Sequence, residues 1–600
     1  MRPSRLIALF VCLAVSVPLS AQAPAQSSPE EAMRAEIDQM KKQLAALEQK
    51  LADQEKANQR AAEQAKAEQA KAEAAAAPQP ESQQLVSKVK DLEHRVQKTE
   101  RNAALDRVRI TGDFRFEAHT INSTIPNHYD GMALQNLLVQ AIFAMQQTGA
   151  PPTSVAQITN TVANNYGSYL YFTNNLTFNQ LKADVNSVPP AMQQGLFSMI
   201  TPSTYVKGYK DDTNILYTNR LRLNLDADVS DNIKFVARLS MYKVFGDSTG
   251  VQVFNGQPNS ISLDGTTAGV PSSDILRVER AYFTWNNIRG SKFFLSVGRR
   301  PSTEGPPMNL RQDEQRGGTP SGALIDYQFD GITFGYHLRD TTTLRLCYGL
   351  GYSSEFGSGA VMQLPQDRLK DVHFLGANID AWTTEKSLVQ ITVARAFNVT
   401  DGFNGEVVLP VNPLTGDPVN APVVMRYTPS ANLGDIDLYG ITAMHRTGSW
   451  DLFASADFDT LRPNGQTTPF GGLGSDPFQV PTVHWGGMFY AGARYNLAND
   501  KTKIGFEFND GSKYWFNFAQ AQDDIIAPKT ATRGQNYEAY ITHRLTERFI
   551  AKLDLIRYNY KWSGSGWQLG DPKLLSQTPT LGFPTYKDAT MLTLSLIARF

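Results

Sequence analysis

Beginning at residue 107, segments in which apolar and polar residues alternate with a period of two recur along the rest of the chain. In the clearest case, 215–229, Tyr217, Leu221 and Leu223 fall on one face, whereas Arg220 and Arg222 fall on the other. Such strands suit an antiparallel barrel in a membrane, whose outward face meets lipid and whose inward face meets water. About sixteen strands are predicted, at 107–118, 215–229, 235–241, 276–286, 291–300, 328–338, 343–352, 371–381, 387–397, 436–445, 450–459, 484–497, 502–519, 535–545, 549–560 and 589–600.

The predicted connections alternate between short ones, such as 230–232, and long ones, such as 119–213. Barrels of bacterial outer membranes have short periplasmic turns and long outer loops, so both termini are predicted to be periplasmic. Because a structureless loop as long as 119–213 is uncommon, we expect it to fold over the barrel mouth or into the lumen. The pair Asp510-Gly511 could turn a hairpin, but it is interpreted as a bulge or an extension within 502–519.

The chain ends on an aromatic residue that completes an apolar face. Leu592, Leu594, Leu596 and Phe600 lie on this face of the last predicted strand. A closing strand of this kind is typical of outer-membrane barrels, whose outward face meets lipid. These four residues are therefore the predicted signal for the barrel-assembly machinery. The predicted location is the outer membrane of a Gram-negative bacterium.

Two segments precede the predicted barrel, which occupies 105–600. Residues 1–23 have the features of a secretory signal peptide: Arg2 and Arg5, then an apolar run too short to span a bilayer, then small residues. Residues 24–104 carry apolar residues at alternating spacings of four and three, which predicts a periplasmic coiled coil. The first of these residues are Met33, Ile37, Met40, Leu44, Leu47 and Leu51.

A single amphipathic helix has nothing to bury its apolar stripe against, so the heptads predict self-association. A trimer is favoured by the barrel size and the heptads together. Residues 30–100 are the candidate contact with the cell wall or a periplasmic partner. The alternative is a charged helical spacer that forms only transiently.

Composition narrows the classes of function. The formal net charge of −1 argues against nucleic acid as a partner. The mean hydropathy of −0.33 is too low for a helical membrane protein, whereas a barrel exposes only every second residue to lipid. Cys347 is the one cysteine of the predicted mature chain, and the eight histidines show no metal-ligand spacing. We therefore predict no cofactor, no metal site and no catalytic residue.

Several stretches resemble a known family. They are 107–116 (RVRITGDFRF), 217–223 (YTNRLRL), 281–285 (AYFTW) and 297–301 (VGRRP). With the order of signal peptide, coiled coil and barrel, they resemble an uncharacterised domain-of-unknown-function family of outer-membrane porins that carry an N-terminal coiled coil. The resemblance implies a porin-type channel and identifies no solute.

Charged residues on the polar face of the early strands are the pore-lining candidates. An arginine facing lipid at the midplane would cost roughly 2–4 kcal/mol, so we expect these residues to face the lumen. There they can set ion selectivity. The alternative is that they pair with the neighbouring acids and hold the wall. The candidates are Arg109, Asp113, Arg115, Arg220, Arg222, Asp226, Asp228 and Arg238.

The long connection 301–327 carries four charged residues among glycines and prolines. In general porins a similarly placed loop folds inward and narrows the pore. By that resemblance, the candidates for a constriction are Arg311, Asp313, Glu314 and Arg316. The alternative is an ordinary solvated outer loop.

These observations predict passive diffusion of small hydrophilic solutes or ions through a charged aqueous lumen. Two alternatives stay open. The barrel could anchor a coiled coil that tethers the envelope, or it could be the sheath of an electron-transfer or export complex. An energised receptor is disfavoured, because that class has about 22 strands and a plugged lumen. Because the long segment 119–213 is expected to fold over the mouth or into the lumen, a plugged pore nevertheless remains an alternative.

Overall fold

In the computed structural model, residues 1–102 and 103–600 form two compact units. The residues described are 88–93, 96, 108–246, 269, 271, 273–353, 368–401, 407–408, 423–424, 429–520, 522–582 and 584–600. In the first unit, residues 88–93 and 96 are helical, with Val89, Leu92 and Val96 exposed. The predicted signal peptide and nearly all of the predicted coiled coil lie outside the described residues, so both stay predictions.

A closed wall of sixteen antiparallel strands forms the second unit, which confirms the predicted barrel. The last strand pairs with the first, from Arg599 opposite Asp113 to Asp588 opposite Thr124. Each predicted strand corresponds to one observed strand. The strands are β1 Val108–Ile125, β2 Leu216–Ser230, β3 Ile233–Val244, β4 Ser273–Trp285, β5 Phe293–Arg300, β6 Phe329–Arg339, β7 Thr342–Tyr352, β8 Val372–Thr383, β9 Ser387–Thr400, β10 Asn432–Thr447, β11 Trp450–Pro463, β12 His484–Asn496, β13 Thr502–Gly511, β14 Gly534–Arg544, β15 Phe549–Tyr560 and β16 Asp588–Arg599.

The seam of the barrel is closed at Gly112. Its amide donates to the carbonyl of Phe600 at 2.8 Å, and the amide of Phe600 donates back to the Gly112 carbonyl at 2.9 Å. A Cβ at Gly112 would lie 2.6 Å from the Phe600 ring, so only glycine leaves room for the terminal side chain. The C-terminal residue is thus part of the wall, while its role in assembly stays a prediction.

The two faces of the wall differ as the alternation predicts. In β1, for example, Phe114 is 40% exposed and Arg115 only 3% exposed. A continuous apolar belt without free strand edges is the outer surface that a bilayer requires. Exposed apolar residues of this outer face include Ile110, Phe114, Tyr217, Phe235, Leu276, Phe283, Phe334, Leu346, Leu375, Val393, Ile441, Phe489, Phe506, Leu553 and Leu594.

Two strand ends differ from their predictions. The strand β1 continues to Ile125 because it pairs there with a short strand, Tyr209–Asp212, and residues 119–124 are too polar on both faces to show the alternation. The predicted strand 502–519 was wrong at its end, because β13 stops at Gly511. Beyond it, Phe516 and Phe518 keep the apolar alternation but are fully buried by other loops instead of facing lipid.

Five helices follow β1 and form a cap on the loops at the long-loop end of the barrel. Their own apolar core includes Leu138, Ile142, Ile158 and Ile200. Of the described helices, none is long and apolar enough to cross a membrane. They are α1 Gly131–Thr148, α2 Val155–Asn164, α3 Tyr166–Asn175, α4 Phe178–Ser187 and α5 Pro190–Ile200.

The cap is fixed at both of its ends by one small sheet. The short strand His128–Asp130 leads into α1 and pairs with Tyr205–Val206, which follows α5. It also pairs with Thr580–Gly582 from the loop before β16. Lys182 of α4 donates to the Thr467 hydroxyl at 3.1 Å. The cap is therefore attached to the loops at more than one point.

The apolar belt predicts how Leu594→Arg changes stability. Leu594 lies in the middle of β16 and is exposed on the outer face. Arginine there should lower the free energy of unfolding in lipid vesicles by about 2–4 kcal/mol. The matched change Leu545→Arg, in the turn between β14 and β15, should cost at most about 1 kcal/mol. Equal losses for the two variants would contradict the placement of the belt.

Candidate functional site: a loop held across the lumen

The connection between β5 and β6, residues 301–328, lies inside the barrel and is called the inner loop. On one side, Glu304 accepts hydrogen bonds from Arg238 of β3 at 2.7 Å and from Arg280 of β4 at 2.8 Å. Arg222 of β2 also pairs with Glu304, and with Glu314 of the same loop. Three neighbouring strands thus hold this side of the loop through buried guanidinium groups.

The opposite side of the wall holds the same loop. Arg494 of β12 pairs with Asp313 at 3.1 Å and donates to the carbonyl of Leu310 at 2.7 Å. The strands β4 and β12 are eight positions apart in a ring of sixteen, so they face each other across the lumen. Lys503 of β13 also pairs with Asp313. The inner loop therefore spans the lumen.

A further attachment lies between these two sides. Arg316 pairs with Asp380 of β8 at 3.0 Å. Gln390 of β9 donates to the carbonyl of Thr319 at 2.8 Å, and the hydroxyl groups of Thr442 in β10 and Ser321 are 3.0 Å apart. The inner loop is therefore fixed around much of the wall's circumference.

The connection between β13 and β14, residues 512–533, also folds inward and is called the second loop. Its Asp523 pairs with Arg115 of β1 and, at 2.6 Å, with Arg220 of β2. Its Lys529, which is fully buried, pairs with Glu507 of β13 and Glu538 of β14. Charged groups of the wall hold this loop as they hold the inner loop.

The two loops are bonded to each other through their backbones. The amide of Asp326 donates to the carbonyl of Phe518 at 2.6 Å, and the amide of Phe518 donates to the carbonyl of Leu324 at 3.1 Å. Arg311 of the inner loop donates to Asp524 of the second loop at 3.2 Å. Leu324, Phe516 and Phe518 are fully buried in one apolar cluster. The loops form a single packed body in the lumen.

The structure places the sequence-predicted residues in two groups. Asp113, Arg115, Arg220 and Arg222 are buried on the lumen face, and Arg238 lies beside them. Arg222 also donates to Asp113 at 2.6 Å. These arginines are paired with acids, as the alternative interpretation expected. Whether they set ion selectivity stays a prediction.

The second group of predicted pore residues lies near the short-turn end. Arg109 and Asp226 pair at 3.3 Å with side chains 75% and 36% exposed. Asp228 pairs with Lys234 at 3.7 Å, and both side chains are exposed. None of these residues touches the inner loop in the contacts described. The four predicted constriction residues, by contrast, all contact the wall or the second loop.

Several residues of this network escaped the sequence-based interpretation. Glu279 and Arg280 are adjacent on a predicted strand, so strict alternation would turn only one of them to the lumen. The register shift between β3 and β4 at this point, where Glu279 is the extra residue, is what allows both to be buried, and alternation could not have shown it. Glu304 lay in the predicted loop but was not singled out. Asp523 lies in a long connection with no periodic pattern, and only the fold brings it to Arg115 and Arg220.

Electrostatics favour the charged state of two acids in the loops, Glu304 and Asp523. Burial alone would raise the pKa of Glu304, but the guanidinium groups of Arg238, Arg222 and Arg280 hold that pKa well below its ordinary value. Burial acts against Asp523 in the same way, and Arg115 and Arg220 lower its pKa. Both acids therefore remain ionised and keep the loops attached at neutral pH.

A small cavity lies beside the network of ion pairs that holds the two loops. It has a volume of about 40 Å³ and is lined by Arg220, Arg222, Arg311, Glu304 and Asp523, among others. Both signs of charge meet in it, so its surface suits water and small polar solutes. Among the residues that the structure describes, no group of three or more His, Cys, Asp or Glu side chains could hold a metal ion.

The family resemblance is confirmed by comparison with known proteins. The chain belongs to the family described as a protein of unknown function (DUF3373), whose model matches residues 210–600. Among curated proteins, none matches the chain. The match begins after the helical cap and includes all strands of the wall except β1.

Solved structures of outer-membrane proteins are similar to this chain at low identity. OprB of Pseudomonas putida, in its high-pH structure, is 10% identical, with 84% of this chain and 96% of that chain covered and a TM-score of 0.40. The outer-membrane channel DcaP of Acinetobacter baumannii is 11% identical, with 82% and 97% covered and a TM-score of 0.35. OmpF of Salmonella typhi, in complex with daunomycin, is 7% identical, with 82% and 98% covered and a TM-score of 0.37.

The buried network predicts a large effect of Glu304→Gln. The change leaves the guanidinium groups of Arg222, Arg238 and Arg280 without their shared carboxylate, which should cost about 3–5 kcal/mol of unfolding free energy. The control Asp226→Asn breaks an exposed ion pair and should cost at most about 1 kcal/mol. Urea unfolding in lipid vesicles measures both. Similar small losses would show that the inner loop contributes little to stability.

The stability difference between the natural protein and Glu304→Gln should depend on pH. The pKa of Glu304 is lowered from its ordinary value of 4.5, so its stabilisation is complete above that pH and is lost as the pH falls through the folded value. The difference in unfolding free energy between the natural protein and Glu304→Gln should therefore be constant from pH 7 to 5 and shrink on acidification below 4.5. A difference that stays constant down to pH 3 would contradict the assignment.

Proposed function

We propose that this protein is a porin-type channel of a Gram-negative outer membrane that passes small hydrophilic solutes or ions by diffusion. The observation that carries the proposal is the charged inner loop, anchored on opposite walls of a closed sixteen-stranded barrel. A barrel of about this size leaves an aqueous lumen unless loops enter it. Here two loops enter, so the channel is narrow.

The direction of the channel is part of the same proposal. The short turns lie at the end where the chain enters β1 and leaves β16. Short turns are periplasmic in bacterial barrels, so both termini would be periplasmic and the helical cap would lie at the outer mouth. A trimer is a proposal that rests on the barrel size and the heptads together, and contact of residues 30–100 with the cell wall or a periplasmic partner is a proposal that rests on the heptads.

One observation favours a second candidate, a channel that is closed until the loops move. Trp515, Phe516 and Phe518 of the second loop are fully buried in an apolar cluster that also contains Leu324 of the inner loop and residues of the wall, and apolar packing of this kind excludes water. A channel that is closed at rest and a narrow open channel differ in conductance. The single-channel recording that tests the channel proposal therefore also distinguishes these two states.

We predict a low single-channel conductance for the purified protein in a planar bilayer. Replacing residues 513–530 by a short Gly-Ser linker should raise it several-fold, because these residues occupy the lumen. Asp226→Asn should leave it unchanged, because this residue lies apart from the inner loop. A folded barrel that is silent before and after the replacement would overturn the channel proposal, whereas conductance that appears only after it would support the closed state.

Ion selectivity provides a separate prediction. Removing a negative charge from the constriction in Glu304→Gln should shift the reversal potential in a salt gradient towards anions. Removing a positive charge at the same place in Arg222→Gln should shift it towards cations. Arg109→Gln, at the exposed short-turn end, should produce a smaller shift than either. Shifts that do not depend on the sign of the removed charge would contradict a conducting path through this network.

The tethering alternative is tested by deleting residues 26–100. Envelope defects with a normal conductance would support a structural role of that segment beside the channel. Copurification with a cytochrome would support the sheath alternative.

A further inference from the structure

A second cavity, away from the constriction, lies beneath the helical cap at the long-loop end of the barrel. It measures about 350 Å³ and is bounded by α1 on one side and by the loops that precede β12 and β16 on the other. Every residue that bounds it belongs to the barrel unit. An apolar cavity of about 150 Å³ can hold one benzene molecule, so this cavity has room for a molecule of one or two rings.

The cavity is lined mostly by apolar side chains. Leu134 and Leu138 of α1 line it from the cap, and Phe470, Trp567 and Leu569 line it from the loops. All five side chains are buried in the protein. Water is held poorly against apolar walls, so an apolar molecule that displaces it gains affinity.

Contacts between the cap and the loops hold the walls of this cavity in place. Gln135 of α1 donates to the carbonyl of Pro469, and the rings of Phe178 in α4 and Phe478 lie 5.9 Å apart. The small sheet that fixes both ends of the cap reaches the cavity through Leu581. These attachments make the cavity a preformed one, as sites for small molecules usually are.

The cavity is accessible from solvent at one edge. Phe478 and Leu581 both belong to its lining, and they are 40% and 44% exposed. A small molecule can therefore enter past these two side chains while the cap stays attached to the loops.

The charged side chains of the cavity balance one another. Two are acids and two are bases: Asp476, Asp571, Lys573 and Arg533. Lys573 pairs with Asp476 and, at 3.4 Å, with Asp571. Arg533 is 1% exposed, and its guanidinium group donates to three backbone carbonyls. The lining therefore has no net charge that a charged ligand could neutralise.

The ion pairs nevertheless give the cavity one polar end. The Asp476 side chain is 31% exposed, and its Oδ1 atom accepts from the backbone amide of Asp571 at 3.0 Å. A carboxylate oxygen can accept more than one hydrogen bond, so a hydroxyl group in the cavity can donate to Asp476. A ligand with an apolar body and one uncharged polar group matches both parts of the lining.

We propose that this cavity binds an uncharged aromatic molecule of one or two rings that carries a hydroxyl group. The rings would lie between α1 and Trp567, and the hydroxyl group would lie at the ion pair of Asp476 and Lys573. A charged ligand is disfavoured, because burying a charge without a partner is costly. The site does not depend on the channel proposal, because the cap and the outer loops form it and the inner loop takes no part in its lining.

The test measures equilibrium binding to the full-length protein in detergent micelles, where conduction plays no part. The three probes share one ring and differ in charge: benzyl alcohol is neutral, benzoate is an anion and benzylammonium is a cation. We expect benzyl alcohol to bind more tightly than either ion by about tenfold or more, because each ion would bring an unpaired charge into the cavity. Saturation at one molecule per chain separates the site from partition of the probe into the micelles.

One pair of variants tests where the probe binds. Leu134→Trp enlarges a side chain of α1 that lines the cavity, so it should weaken the binding of benzyl alcohol several-fold. Leu170→Trp makes the same change on α3, where the residue is exposed and does not line the cavity. Binding should be unchanged in this control.

A second pair of variants tests the charge balance with opposite signs. Asp476→Asn leaves an excess positive charge, so it should raise the affinity for benzoate relative to benzyl alcohol. Lys573→Gln leaves an excess negative charge and should raise the relative affinity for benzylammonium instead. Because the two side chains are 31% and 25% exposed, each shift should be about threefold.

The outcomes are decisive in both directions. Benzyl alcohol that binds more tightly than both ions, and that is weakened in Leu134→Trp but not in Leu170→Trp, supports the site. An ion that binds as tightly as benzyl alcohol overturns it, as does the lack of saturable binding or unchanged binding in Leu134→Trp. If Leu134→Trp fails to fold, the charge variants decide: relative affinities that do not shift in opposite directions would overturn the site.

Discussion

The interior of this barrel depends on the compensation of buried arginine side chains. Arg115, Arg220 and Arg222 point inward from β1 and β2 because the lipid face would be costlier for them. A buried guanidinium group must in turn find a carboxylate, since an uncompensated buried charge costs several kcal/mol. Glu304 and Asp523 are the partners, and both belong to long connections. The wall's charges therefore fix where the two loops lie.

The same constraint explains why the lumen is narrowed by two loops and not one. The inner loop brings carboxylates to one group of cations and its Arg311 to Glu538 of β14, at 3.3 Å, but none of its described ion pairs involves Glu507 of β13. The second loop brings Lys529 to these two acids. Once both loops are anchored, their apolar residues Leu324 and Phe518 are buried in one cluster with residues of the wall, such as Phe374 of β8, whose ring lies 5.0 Å from that of Phe518. Charge positions the loops, and apolar burial then joins them.

The strands could be predicted from the sequence because their period repeats in every hairpin, and lipid enforces it on one face. The loops have no such period. The pairing of Asp523 with Arg220 joins residues 303 positions apart, and nothing local specifies it. The strand predicted at 502–519 shows the limit of reading strands from alternation. Phe516 and Phe518 are apolar because they are buried inside the protein, and the sequence pattern cannot distinguish such burial from contact with lipid. The inward fold of 301–328 was suggested by resemblance to porins and not by its own pattern.

The most direct test of this account is hydrogen–deuterium exchange of the protein in lipid nanodiscs, read at the peptides that cover 301–328 and 512–533. The backbone bonds between Asp326, Phe518 and Leu324 predict that amides in both loops exchange far more slowly than those of the turn 497–501, and nearly as slowly as the strands. Exchange in both loops as fast as in that turn would contradict the account, because amides that are hydrogen-bonded between the two loops exchange only when those bonds open.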